Sequence, residues 1–142
     1  MSHVVTEGIL ITDLRALAAA AAECGLELVE GQTTFRWYGR FVGDTVPDSD
    51  PQTWGTCAHA IRVKGKAGAY EIGVVKVEGG YRLRYDAWMG GYGLEVAAGA
   101  KLGKLRLAYG LQAAERKLKR QGYTVQRKIG KLGRVDLVAV KG

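Results

Sequence analysis

Cysteine, proline and histidine are each present only twice in these 142 residues, and the cysteines and histidines bear on which chemistry the chain could carry. Cys24 and Cys57 have no C-x-x-C spacing and sit in different contexts, which argues against a disulfide scaffold and leads us to expect two free thiols. His59, two residues beyond Cys57 and beside a loop with Asp44, Asp48 and Asp50, could be cast as a metal ligand or an acid–base group, but a metal site needs three or four ligands converging at fixed distances, and no metal is expected. Long apolar runs are also missing. The longest, residues 16–22, falls far short of the ~20 residues that cross a bilayer, so no membrane association is expected. The first residues lack a basic stretch followed by an apolar one, so they do not read as a secretory signal, and a cytoplasmic location is expected. No Gly-x-Ser-x-Gly appears, and the Gly90-Gly91-Tyr92-Gly93 tract lacks both the trailing Lys-Ser/Thr of a P-loop and a completed G-x-G-x-x-G. The tract reads as a hinge or turn. No catalytic residue, metal or cofactor is assigned, and binding is favoured over enzymatic chemistry.

Acidic residues are scarce in one place only. Residues 1–60 carry three basic side chains against eight acidic ones, and residues 61–142 carry eighteen against six, which gives the two parts net charges of −5 and +12. Between Lys101 and Arg134, eleven cations face the single acid Glu115. A field of one sign concentrates anions and steers their approach. Nucleic acid or an acidic protein surface is therefore the expected partner.

The remaining composition is that of one globular domain, with 47% apolar and 25% charged residues, and glycine at 21 residues is about double its usual ~7%. Residues 3–11 read as a strand, and Thr12 and Asp13 offer caps to a helix over 13–24 that Gly25 stops. Residues 26–30 and 34–38 alternate in polarity around Glu30-Gly31-Gln32, which predicts a hairpin. Both prolines and three aspartates fall in 43–55, a loop. Short glycine turns at 65–68 and 78–80 join strands at 58–64, 69–77 and 81–87 into a meander. A long helix is expected from about Lys101 to Gln121, followed by a hairpin of 123–129 with 135–140. This order departs from regular strand–helix alternation, so the expected class is α+β, a single domain with a largely antiparallel sheet and two main helices packed on one face.

Several blocks carry a likeness: Met1-Ser2-His3 with Thr6, Ile11-Thr12-Asp13-Leu14 and Leu17 before Gly25, then Ala58-His59-Ala60-Ile61-Arg62-Val63 and Tyr70-Glu71-Ile72-Gly73-Val74-Val75. Gly80-Tyr81-Arg82-Leu83 with Asp86, Tyr109, Ala114 and Gln121-Gly122-Tyr123-Thr124-Val125 continue it. Together they resemble the hypothetical chloroplast protein thirty-five family, which has plastid, cyanobacterial, other bacterial and phage members. The proline-containing loop and basic carboxyl half look more like the phage and bacterial members. The resemblance implies no catalytic residue, because the family is chiefly known as a domain of unknown function.

The long basic helix is the leading candidate site. A helical advance of about 100° per residue puts Gly103, Leu107, Leu111, Ala114 and Leu118 on one stripe, expected to face the sheet. The other side gathers Lys101, Arg106, Arg116, Lys117, Lys119 and Arg120, with Tyr109 and Gln112 among them. Such residues neutralise phosphates, and an aromatic among them can stack a base. Arg127 and Lys128 of the hairpin extend the set. The bland alternative is a solvated helix face whose cations favour the dipole's carboxyl end. His59 alternates with Cys57, Ile61 and Val63 and reads as a half-buried packing residue. Trp54, alone among polar loop residues, either plugs a groove or touches a partner. Two rival readings remain: an adaptor or inhibitor docked on a partner protein, and a pocket that sequesters an anionic metabolite or nucleotide signal.

Overall fold

The computed structural model describes residues 4–37, 55–130 and 134–141; Trp54, His3 and most of the 43–55 loop lie outside them. Strand β1 (Val4–Thr6) leads to helix α1 (Leu14–Glu23) and strand β2 (Leu26–Glu30). Strands β3 (His59–Val63), β4 (Ile72–Val77) and β5 (Gly80–Asp86) form the expected meander. A short helix α2 (Leu94–Ala98) and the long helix α3 (Gly103–Arg120) follow, and β6 (Tyr123–Ile129) pairs with β7 (Val135–Lys141). The fold is α+β. Five strands make one antiparallel sheet in the order β1-β5-β4-β3-β2, and β6 and β7 make a separate two-stranded sheet.

Local chemistry explains α1. Asp13 is extended, and its Oδ1 accepts from the amides of Arg15 (3.0 Å) and Ala16 (3.1 Å), satisfying two donors the helix leaves open. Gly25, at φ +73°, supplies the left-handed residue that turns the chain into β2. Alanine fills the buried side of α1 at positions 16, 20 and 21, and these small side chains let α3 lie close against it.

Register sorts the sheet into two faces, because residues paired across strands share a face. Ile61 opposite Ile72, and Val74 opposite Leu83, point with Leu26 and Tyr85 into the main core. Leu17 of α1, Leu94 of α2, and Leu102, Leu105 and Tyr109 complete that core from the helical side. The opposite face carries Ala60, Gly73 and Arg84, and the buried Phe35 ring lies on Gly73, where an added Cβ would sit 2.4 Å from Phe35 Cδ1.

Four expectations are corrected. Of the expected strand 34–38, residue 38 lies outside the described residues, and 34–37 do not form a hairpin with β2; β2 pairs with β3, and Thr34 bridges Thr56 instead. Alternation marks an extended segment but not its partner. The first strand covers only Val4–Thr6, with Ile11 forming an isolated bridge to Tyr81. The long helix begins at Gly103, after α2 and a tight turn in which Lys101 (φ 53°) and Leu102 (φ 58°) are left-handed. Finally, the Gly103–Leu107–Leu111–Ala114–Leu118 stripe is not the buried one: Leu107 is 60% exposed, and α3 buries Leu105 and Tyr109. The helix packs principally on α1 rather than flat on the sheet, so its inward side is rotated away from the leucines.

Between β5 and α2 the chain makes a rarer shape. Met89, Gly90, Gly91 and Tyr92 are all left-handed, with φ between 51° and 68°, one turn of opposite hand. The Tyr70 amide donates to Gly91 O at 2.8 Å, and the Tyr70 ring meets Tyr92 edge-on at 5.0 Å. Both cysteines are free. Burial pushes the Cys57 thiol up to about 11, and its Sγ donates to Gln32 O at 3.2 Å.

Candidate anion-binding face

Helix α3 and strand β6 carry all nine cation-surface candidates except Lys101, which sits in the turn before α3. The structure divides them by what they already touch. Tyr109 does not stand among the cations. It is 6% exposed, and its Oη accepts from the amides of Thr12 (2.9 Å) and Asp13 (3.2 Å) just ahead of α1. Arg116, two turns further along α3, donates from Nε to Asp13 Oδ2 at 2.8 Å, and Arg120 reaches the same oxygen at 4.0 Å. Burial pulls the Asp13 carboxyl upward, but the Ala16 amide and then Arg116 outweigh it and hold the group below its usual value. One carboxylate thus caps α1 and fastens α3 to it.

Arg127 is a second fastener. Its Nη1 donates to Glu23 Oε1 at 2.5 Å and its Nε donates to Glu115, joining β6 to both helices, while Gln112 also donates to Glu23 at 3.0 Å. The hydrogen bond from Arg127 lowers the Glu23 carboxyl against the opposing effect of burial. None of the described residues of β6 or β7 belongs to the main apolar core, and a lone two-stranded hairpin is marginal in water, so its packing on α3, which this ion pair reinforces, matters to its stability. Because the folded state depresses Glu23, the stability it contributes is complete above the ordinary glutamate value and is lost as pH falls through the depressed one. Hairpin amide resonances should therefore lose dispersion on acidification before those of the five-stranded sheet. Arg127→Gln should loosen the hairpin at pH 7 by about 1 kcal/mol, the pair being partly exposed. Simultaneous loss in hairpin and sheet would contradict this.

The other candidates are less committed. Arg106 donates to Lys101 O at 3.1 Å, a neutral acceptor. Lys117, Lys119 and Lys128 are exposed, and no acid pairs with them among the described residues. Arg116, Lys119 and Arg120, at i, i+3 and i+4 spacing, line a shallow open groove of about 260 Å³ beside Asp13. Sequence reasoning missed that Arg116 and Arg127 are structural partners of Asp13 and Glu23. The only signal was the acidic bias of the amino-terminal part, which sets anions on α1 against the cations of α3.

His59 shares the core-facing side of the sheet with Ile61 and Val63, and its Nδ1 accepts from the Gly31 amide at 3.0 Å. Among the described residues no group of three or more His, Cys, Asp or Glu side chains is placed to hold a metal, and no helix is long and apolar enough to cross a membrane. No family model, curated protein or solved structure matches the chain.

Proposed function

We propose that the protein binds an anionic polymer, most simply nucleic acid, through the cationic groove of α3 and the neighbouring hairpin, without catalysing a reaction. The groove that Arg116, Lys119 and Arg120 line among the described residues carries this reading, together with exposed Lys117 and Lys128. Arg116 and Arg127 contribute differently from the rest: they position α3 and the hairpin, and their charge is already shared with Asp13, Glu23 and Glu115. Tyr109 is removed from the binding surface. Placement within the hypothetical chloroplast protein thirty-five family, among its phage and bacterial members, is part of the same proposal and rests on the residue blocks quoted above.

Exposed apolar residues on the hairpin favour a second reading, an adaptor that docks on an acidic protein: Ile129 is 81% and Val140 61% exposed. Salt separates the two. Fluorescence anisotropy with a labelled oligonucleotide should give a steep linear fall of log affinity with log salt. Changing Lys117, Lys119, Arg120 and Lys128 together to glutamine should make that slope shallower by about 0.9 for each duplex phosphate that is no longer neutralised. These are exposed positions, so the fold should change by no more than about 0.5 kcal/mol at each. Absence of binding by the wild type at low salt would remove the nucleic-acid reading.

A further inference from the structure

A second concentration of positive charge lies away from α3. Strand β3 ends at Val63, and the chain continues as Lys64-Gly65-Lys66-Ala67-Gly68, with no acid in the turn. Gly65 is left-handed at φ +76°, Lys66 N donates to Val63 O at 3.4 Å, and Ala69 N donates to Lys66 O at 3.2 Å. These short closures fold the turn back on itself. With Arg36, Arg62 and Glu71, it lines an open cleft of about 520 Å³, bordered also by the small side chains of Ala67 and Ala69.

The charges in this cleft are unequally used. Arg62 is paired with Glu27 at 2.5 Å. Glu71 Oε1 accepts from the Arg36 amide at 2.8 Å and from Gln32 Nε2 at 3.2 Å, so the one acid in the wall is turned to neutral donors. Among the described residues the Arg36 guanidinium donates to a carbonyl, Ala69 O, at 3.4 Å. Arg36, Lys64 and Lys66 therefore have no ion-pair partner among the described residues, and all three line one concavity. Its volume falls within the range of small-molecule sites, about 300–1,000 Å³, and glycine and alanine between the cations leave the space open. Arg36 and Lys64 border this space, and Lys66 borders it with its stem while its ammonium lies over Gly93; a guanidinium with lysines beside it complements the charge of linked phosphates.

We propose that this cleft is a separate anion site that takes the diphosphate or triphosphate portion of a small phosphorylated ligand. It is distinct from the α3 groove. Lys64 N bonds to Gly25 O just past the carboxyl end of α1, whereas Arg116 bonds to Asp13 at the amino end. The ten residues of α1 separate the two by about 15 Å. The cleft does not depend on the nucleic-acid reading and survives its failure.

Sodium pyrophosphate is the direct probe, titrated at low salt by calorimetry and by amide chemical shifts of the wild type. Saturable binding with shifts at Gly65, Lys66, Ala67 and Gly68 is expected. Lys64→Gln with Lys66→Gln should weaken binding by about tenfold or more, whereas Lys119→Gln with Arg120→Gln should leave it within about twofold. A short single-stranded oligonucleotide supplies the other source of phosphate. Binding of the strand without pyrophosphate would overturn the small-ligand site, as would pyrophosphate shifts confined to α3, no saturable binding, or equal loss in both variants.

Discussion

Gly80→Ala is expected to lower the melting temperature by about 6–12 °C, the largest effect of any single methyl group we identify. A Cβ at Gly80 would lie 2.3 Å from Ile11 O and 3.3 Å from Leu10 Cδ1. The oxygen cannot yield easily: it accepts from Tyr81 N at 2.9 Å, and Ile11 N donates back to Tyr81 O at 2.8 Å. Ile11 is itself fully buried. Relief therefore means separating the segment before α1 from β5, an overpacking cost of about 3 kcal/mol, and each kcal/mol moves the midpoint of a chain this size by about 2–4 °C. Gly110→Ala supplies the contrast. Nothing lies within 4 Å of its added Cβ, the site is exposed in the middle of α3, and the change should stabilise by about 1 kcal/mol. Thermal denaturation of both variants measures the difference, and a Gly80→Ala midpoint within about 2 °C of wild type would show that the Ile11 bridge does not constrain the fold.

Tyr109→Phe should cost about 1 kcal/mol although the ring remains in place. The missing hydroxyl is the acceptor for the amides of Thr12 and Asp13; both residues are partly open to water, so the loss is that of an ordinary hydrogen bond, about 0.5–1.5 kcal/mol. The cost should also couple to Asp13. Asp13→Asn removes the charge that Arg116 grips from the same helix, so the two substitutions together should differ from the sum of their separate effects by about 0.5 kcal/mol or more. Strict additivity in a denaturant double-mutant cycle would mean that Tyr109 and Arg116 hold α1 independently.

The meander and α1 were legible because their signals are local: alternation, short glycine turns, and a capping aspartate before an alanine-rich run. Pairing was not. Residues 26–30 and 34–38 alternate alike, yet nothing in either segment says that β2 seeks β3 while Thr34 meets Thr56. The orientation of α3 failed for a related reason. Four leucines and alanines at helical spacing looked like the inner stripe, but the helix packs on α1, so Tyr109, Gln112 and Arg116 turn towards Thr12, Asp13 and Glu23. Charge density was read correctly as density and could not reveal which cations were already engaged. The cleft at Lys64 and Lys66 escaped because two lysines in a turn are unremarkable until Arg36 is brought beside them from distant sequence.

The turn of opposite hand at Met89–Tyr92 inverts the ordinary accounting of chirality. Across a right-handed helix glycine is the weak residue; here Gly90 and Gly91 rest without strain, and Met89 and Tyr92 each carry about 1–2 kcal/mol for adopting the mirror-image backbone. The segment therefore behaves as a wound spring, latched by the Tyr70 amide on Gly91 and by the two tyrosine rings. Relaxation of this turn would rewind the chain directly ahead of α2, whose Leu94 and Ala98 are buried in the core, so the contacts that hold the turn also help to keep α2 in place.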